Sequence, residues 1–278
     1  MRVTCAGVLL FLSAAAAAQT GVTVETVVQR VSRFAEQQRD ALVNVRADER
    51  YVQWTQEDNF RNTIERRTLT SEIAFARLTG EEDWVAFRNV VQVDDNPTGS
   101  DPARLEKLFR DGPPASQGSR IVRESARYNI GGLERTLNTP VIVMHLLMPA
   151  QIGRFEFKKE SEEARANGRV WIVSFRETVR PTIVRSSTRF DVPIRGRLWI
   201  APDTGVLSHA VLEMDHPVKS RLEFDWRNEE KLGAWVPAEM RERYMRVRWP
   251  SRSRRPYDIM GTATYSNYRR FEVDVRIK

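Results

Sequence analysis

The sequence predicts an α+β fold, an antiparallel sheet of about ten strands with helices over one of its faces. In the most regular strand Leu222, Phe224 and Trp226 share one face, and charged residues share the other: Arg221, Glu223, Asp225 and Arg227. Such alternation is typical of a sheet with one wet and one covered face. Between Val22 and Val45 apolar residues recur at helical spacing, so an amphipathic helix can provide the cover.

Residues 1–18 have the pattern of a signal peptide: a basic residue, an apolar run and an Ala-rich end, with cleavage expected between Ala18 and Gln19. The only cysteine, Cys5, lies in this segment, so the exported chain is expected to lack disulfides and thiol chemistry. These features predict a periplasmic protein with 19–278 as a single domain.

Three strands follow the amphipathic helix in the first part of the domain. They are predicted at Glu49–Gln56, Thr63–Leu78 and Trp84–Val93. The periodicity then changes, and a helical insertion is expected at about 101–148. Its last helix, Thr139–Pro149, is apolar on nearly every side, which indicates a buried helix or one in contact with an apolar ligand.

The insertion is predicted to contain two earlier helices as well. Asp101 can cap the first helix, and Gly112 ends it before two prolines. The second is expected at Ser116–Ile130, where Gly131 and Gly132 follow.

Strands resume after the insertion and continue to the end of the chain. The first three are predicted at Arg154–Lys159, Arg169–Arg176 and Thr182–Phe190. A meander follows, with strands at Arg197–Ile200, Val206–Asp215, Arg221–Arg227 and Ala234–Trp249. A closing hairpin is expected around Asn267, with strands at Asp258–Ser266 and Tyr268–Lys278.

The chain is basic, with 44 Lys and Arg against 37 Asp and Glu, and its net charge is +7. For an exported protein this charge favours an anionic lipid surface or an acidic polymer over nucleic acid. Four arginines are the candidate lipid-phosphate contacts: Arg241, Arg243, Arg246 and Arg248. The alternative is a solvated strand whose charges discourage edge-to-edge aggregation.

Motifs for catalysis are missing from the sequence. It has three histidines and none of the common metal, nucleophile or nucleotide-binding patterns, so we expect no metal, no cofactor and no enzymatic activity. Glu239 with Glu242, or Asp203 with Asp215, could form an acid/base pair, but turn and surface roles explain these carboxylates equally well. Seven Trp and seven Met suit either an adaptable apolar cavity or a packed core.

Three stretches resemble the periplasmic lipoprotein carrier and sorting proteins, the LolA/LolB-like superfamily. They are a strand and Pro-Asp-Thr-Gly turn at Gly196–Gly205, a Trp-Val-Pro strand at Leu232–Met240, and a Tyr-Ser-Asn-Tyr ending at Gly261–Phe271. The resemblance implies an incomplete, strongly curved β-barrel whose concave face is covered by helices. It also implies a non-enzymatic protein that holds acyl chains of lipoproteins or lipids between sheet and helices.

On this interpretation we expect a set of apolar side chains to line the interior: Leu222, Phe224, Trp226, Trp171, Val173, Phe175, Phe271 and Val273. The apolar helix would act as plug or lid through Leu146, Leu147 and Met148. Two other functions stay open. One is an envelope sensor or protein-interaction module with a packed interior, and the other is a hydrolase of envelope polymers.

Overall fold

The structure, a computed structural model, describes residues 21–57, 63–77, 84–100, 118–165, 168–186, 189–216, 218–248 and 255–270. The expected signal peptide, the helix that Asp101 would cap, and the candidate site residues Phe271 and Val273 lie outside these ranges. Within them, no helix is both long enough and apolar enough to cross a membrane.

Helices and strands are arranged in two runs of strands around a helical segment. In chain order they are α1 (Val24–Leu42), β1 (Val45–Glu57), β2 (Thr63–Arg77), β3 (Trp84–Val93), β4 (Asn96–Pro97), α2 (Gly118–Ser125), α3 (Val141–Leu147), α4 (Pro149–Ile152), β5 (Phe155–Arg165), β6 (Gly168–Glu177), β7 (Arg195–Ile200), β8 (Leu207–Met214), β9 (Lys219–Glu229), β10 (Ala234–Val247) and β11 (Tyr257–Arg270).

All these strands belong to one antiparallel sheet in the order β4-β3-β2-β1-β11-β10-β9-β8-β7-β6-β5. The two runs, β1–β4 and β5–β11, are joined where β1 pairs with β11, with Tyr51 opposite Ala263. The edge strands β4 and β5 do not pair with each other, so the sheet stays open. The predicted antiparallel sheet is therefore confirmed, with eleven strands in place of about ten.

The sheet is strongly curved. If the sheet were flat, it would be about 48 Å wide across its eleven strands, at about 4.8 Å between neighbouring strands. Helix α1, which packs on it, is only about 28 Å long at 1.5 Å per residue. One continuous hydrophobic core nevertheless includes α1, α3 and the inner faces of β1–β3 and β5–β11. The strands must therefore curl around the helices, which is the incomplete barrel that the resemblance implies.

Helix α1 covers the concave face as its apolar stripe predicts. Thr23 Oγ1 caps it by accepting a hydrogen bond from the Thr26 amide at 3.2 Å. The buried apolar residues are Val27, Val31, Phe34, Ala35 and Leu42. The β7–β8 turn passes closely over the helix: Arg30 Nη1 donates to the Pro202 carbonyl at 2.6 Å. Gly205 has φ +78° there, and a Cβ would lie 2.4 Å from the Arg30 backbone.

The predicted closing hairpin is wrong. Residues 257–270 form a single strand, β11, and Asn267 lies within it at φ 53°. The pairing with β1 shifts register between Arg46 and Asp48, which is the signature of a β-bulge. Asparagine, which suggested a turn in the sequence, tolerates this positive φ and accommodates the bulge instead.

Three further elements differ from the prediction. The expected strand Thr182–Phe190 is a loop whose only bridge among its described residues joins Arg185 to Asp191. The second inserted helix ends at Ser125 rather than Ile130. The third ends at Leu147, because the chain turns at Met148 and starts the short α4 at Pro149.

Candidate functional site

The concave face consists of two chemically different halves. One row of directly paired residues crosses most of the sheet, and its members are Phe175, Gly196, Leu212, Leu222, Glu242, Gly261 and Gln53. The row is apolar on β6–β9 and becomes polar from β10 onwards. We call the inner faces of β5–β9 the apolar half, and those of β10, β11 and β1–β3 the polar half.

The apolar half contains the predicted interior residues that the structure describes. Six of them are buried and belong to the continuous core: Leu222, Phe224, Trp226, Trp171, Val173 and Phe175. The Phe224 and Trp226 rings stack with centroids 6.0 Å apart, and Phe155 meets Phe175 edge-on at 5.6 Å. The structure thus brings these residues to one face, where they contact each other and the helices.

The proposed plug is also part of this core. Leu146, Leu147 and Met148 are buried, and α3 packs against α1. The expectation that the apolar helix is buried is confirmed. Its role as a lid over a bound acyl chain stays a prediction.

The polar half contains a buried ion pair between β1 and β3. Arg88 Nε and Nη2 donate to the two oxygens of Glu49 at 2.5 and 2.8 Å, and both side chains are fully buried. Nη2 also donates to the Asn138 carbonyl at 3.1 Å, and the Arg88 amide donates to Ser125 Oγ at 3.0 Å. Because bidentate pairing fixes both groups, this pair ties the segment 125–138 to the sheet.

A second buried ion pair holds the same segment nearby. Arg135 Nη1 donates to Glu242 Oε1 on β10 and to the Tyr51 hydroxyl on β1, the latter at 3.0 Å. Its Nη2 donates to Gln53 Oε1 and to the Ile130 carbonyl. Nε of Arg135 is buried without a hydrogen-bond partner. One guanidinium thus connects β1, β10 and its own segment.

The space for this cluster depends on a residue without a side chain. Gly261 lies on β11 between Gln53 and Glu242 in the paired row. A Cβ there would lie 2.7 Å from Tyr51 Cε2 and 2.9 Å from Glu242 Oε1. Glycine is therefore required for the hydrogen bond from the Tyr51 hydroxyl to Glu242.

Burial and neighbouring charges set the protonation of this cluster. Burial raises the pKa of Tyr51 well above its ordinary value, and the Glu242 charge raises it further. Burial opposes the charge of Arg88, but the Glu49 carboxylate outweighs it and raises the pKa of Arg88. Tyr51 therefore remains a hydrogen-bond donor and Arg88 a cation at neutral pH.

A pocket of about 540 Å³ opens beside the cluster. The segment 132–137 forms one wall, the loop between β6 and β7 forms another, and the ends of β8–β10 form the floor. Its apolar lining comprises Leu133, Leu137, Val184, Val192, Met214 and Val218, and its polar lining comprises Glu134, Arg135, Thr136, Arg185, Ser186, His216, Ser220 and Tyr244. We call it the mouth pocket. Its volume and mixed lining are typical of small-ligand sites.

A second pocket, of about 430 Å³, has a charged lining on β5–β8. Its arginines pair with carboxylates: Arg176 with Glu156 at 2.7 Å, and Arg197 with Glu160 at 2.6 Å. Such a lining does not suit an acyl chain, because apolar surface would replace solvated charges.

The four predicted phosphate contacts are distributed differently. Arg241 pairs with Asp225 at 3.1 Å, and Arg243 pairs with Asp258 at 2.7 Å. The Arg246 amide donates to Asp258 Oδ1 at 2.9 Å, and Arg248 is exposed just beyond β10. Arg241 and Arg243 thus already have carboxylate partners on the sheet.

The carboxylates that the sequence offered for chemistry lie apart from one another or are paired with cations. The described part of the chain contains no group of three or more His, Cys, Asp or Glu that could hold a metal ion. The acid/base pair considered for Glu239 and Glu242 is not formed as imagined, because Glu242 is buried against Arg135 whereas Glu239 pairs with Arg241 at 3.2 Å.

Comparisons with solved structures place similar folds beside this one. A DUF1329 family protein from Desulfovibrio piger is 14% identical at a TM-score of 0.43, with 92% of this chain and 95% of that chain covered. A putative outer membrane lipoprotein-sorting protein domain from Vibrio parahaemolyticus is 9% identical at 0.40, with 89% and 95% covered. A LolA superfamily protein from Nitrosomonas europaea is 10% identical at 0.37, with 90% and 96% covered.

The names of the last two agree with the resemblance seen in the sequence. Every TM-score lies below 0.5, so the description of the fold rests on strand order and register. No protein-family model matches the chain. No curated protein matches it either.

Proposed function

We propose that this protein is a non-enzymatic binding protein of the cell envelope that holds an acyl chain of a lipid or lipoprotein, in a carrier or sorting role. The observation that carries the proposal is the mouth pocket, about 540 Å³ with six apolar lining residues, one of which, Met214, lies on β8 in the apolar half. An acyl chain that contacts these six apolar side chains would leave water, and this burial drives acyl-chain binding.

The adaptable part of the site is the apolar half. Its residues and the α3 residues Leu146, Leu147 and Met148 contact each other without directional bonds. An acyl chain could therefore displace helix contacts and replace them with contacts of the same kind. Met side chains such as Met144 and Met214 favour such repacking, because they are flexible and unbranched.

A second function is favoured by the near-complete burial of the same residues. Leu222 and Val173 have no exposed surface and Phe224 is 1% exposed, so the interior is filled by the protein's own side chains. A protein that signals or binds a partner through its outer surface would need only this packed interior. The two functions differ in whether an acyl chain enters.

The test is lipid extraction and native mass spectrometry of the purified protein, followed by titration with a fluorescent fatty-acyl probe. We expect a bound acylated species and saturable probe binding. Leu137→Glu puts a charge on the pocket wall at a partly buried site and should weaken probe binding at least tenfold. Ile64→Glu makes the same change at an exposed site on β2 and should leave binding unchanged.

Either of two results would contradict the acyl-chain proposal. One is a wild-type protein that is free of lipid and takes up no probe. The other is equal binding by folded Leu137→Glu and Ile64→Glu proteins. The packed-interior function would then stand.

A further inference from the structure

The two ends of the half-barrel differ in charge. The β6–β7, β8–β9 and β10–β11 connections meet at one end, which we call the basic rim. Their described residues include five arginines and two aspartates: Arg180, Arg185, Arg189, Arg248, Arg255, Asp191 and Asp215. The described connections of the opposite end carry Asp203 and Glu230 against Lys231. The molecule therefore has a charge asymmetry along the strand direction.

The basic rim also presents exposed apolar side chains. Phe190 is 73% exposed and Val179 is 39% exposed, and both lie in the β6–β7 loop. Ile64, 44% exposed, starts β2 at the same end. No other large hydrophobic side chain is exposed in the described part of the chain. Segments that insert at a bilayer interface typically combine an exposed aromatic side chain with neighbouring cationic residues.

Internal hydrogen bonds order the β6–β7 loop from within. The buried Glu177 accepts the Ile183 amide at 2.8 Å, and Asp191 accepts the Thr182 amide at 2.9 Å. The Thr182 hydroxyl accepts the Val192 amide at 2.9 Å. These carboxylates and hydroxyls replace the ladder that a hairpin would supply.

Two further hydrogen bonds join Ser186 and Phe190 in the same loop. The Phe190 amide donates to Ser186 Oγ at 3.0 Å, and the Ser186 amide donates to the Phe190 carbonyl at 2.9 Å. Phe190 is thus held outward by its own backbone, so little further ordering would be needed on binding.

The same loop forms a wall of the mouth pocket through Val184, Arg185, Ser186 and Val192. We propose that the basic rim docks on an anionic lipid bilayer, with Phe190 inserted between acyl chains and arginines of the β6–β7 loop at the lipid phosphates. Docking in this orientation turns the mouth pocket towards the membrane. The proposal concerns the outer surface and holds whether or not the interior binds a ligand.

The test is co-sedimentation of the full protein with vesicles of phosphatidylcholine, with and without phosphatidylglycerol. We expect binding to the anionic vesicles that weakens as salt is added. Phe190→Ser should weaken it about tenfold or more through lost apolar burial. Phe190→Trp should retain it. Because Phe190 is exposed, circular dichroism should show both variants folded.

The charge contribution has a matched control at the other end of the barrel. Arg185→Gln should weaken binding about fivefold, as expected for one cation near an anionic surface. Lys231→Gln removes the same charge at the opposite end and should have little effect. The proposal is overturned if wild-type protein ignores anionic vesicles, if Phe190→Ser binds like wild type, or if both charge variants lose affinity equally. The first result would direct the search to a protein partner for Phe190.

Discussion

The two halves of the concave face are covered by different kinds of contact. Helices α1 and α3 supply aliphatic and aromatic side chains to the core that contains the apolar half, and such contacts depend on buried area rather than direction. Over the polar half, hydrogen bonds fix the segment 125–138 to Arg88, which pairs with Glu49, and to Glu242. Another apolar molecule can replace the first kind of contact. The second cannot be broken without leaving a charge buried and unpaired. We therefore expect the apolar half to adapt and the polar half to hold the frame.

The largest effect is expected when one ion-pair partner is removed from the polar half. Arg88→Met leaves the fully buried Glu49 without its guanidinium. The free energy of unfolding should fall by about 3–5 kcal/mol. Urea denaturation followed by circular dichroism measures it.

The double variant Glu49→Leu/Arg88→Met provides the control. It removes both charges, so most of the lost stability should return, because an apolar pair of similar volume carries no desolvation cost. If the single variant loses less than about 1 kcal/mol of stability, the cost expected for breaking a buried ion pair is absent. The polar half would then not hold the frame.

A smaller effect is expected from a cavity in the apolar half. Leu222→Ala should cost about 2–5 kcal/mol, the range for a fully buried leucine. Leu69→Ala on β2 is the matched change in the polar half, because Leu69 is equally buried. Added fatty acid should raise the melting temperature of Leu222→Ala more than that of Leu69→Ala, because a ligand can fill only the first cavity. Equal shifts would show that the halves do not differ in adaptability.

The smallest effect is expected on the other face of the sheet. Asp225 accepts a hydrogen bond from His209 Nδ1 at 2.6 Å and pairs with Arg241 at 3.1 Å. Burial pushes the pKa of Asp225 upward, but the bond from His209 and the charges of His209 and Arg241 outweigh it and lower the pKa. Asp225→Asn should cost less than about 1 kcal/mol at neutral pH, as partly exposed pairs do.

The sign of the pH dependence follows from that lowered pKa. The stabilisation is complete above the unfolded-state value of about 3.9 and is lost as the pH falls through the folded-state value. Melting curves of wild type and Asp225→Asn should therefore converge in acid. A difference that persists there would assign the effect to packing rather than charge.

Local patterns were sufficient to predict much of the fold. The alternation of Leu222, Phe224 and Trp226 indicates that one face of the strand is buried, and the structure places all three in the core. The α1 stripe and the apolar α3 helix were predictable for the same reason: burial imposes a period on the sequence. The strand predicted at 182–190 is wrong because Thr182 and Asp191 order this loop by side-chain hydrogen bonds, which leave no periodic pattern in the sequence.

The polar half could not be predicted in this way. Tyr51 and Glu242 are 191 residues apart, and only the strand register brings them together. Glu49 and Glu242 look like solvated strand residues, and Arg135 lies in a segment without periodicity. The sequence nevertheless contains a sign of buried polar residues on β1. Every second residue faces the core, and this face begins with Val45 and Ala47 and continues with Glu49, Tyr51 and Gln53.

The pairing of β1 with β11 also has a consequence for how the chain folds. β11 ends at Arg270 in a chain of 278 residues, yet it joins the two meanders. Until β11 pairs with β1, one edge of β1 is unpaired, and Glu242 cannot contact Tyr51 and Arg135. Folding should therefore be limited by one late long-range closure, as in folds of high contact order. A chain shortened before β11 would expose two open strand edges and should aggregate rather than form a smaller half-barrel.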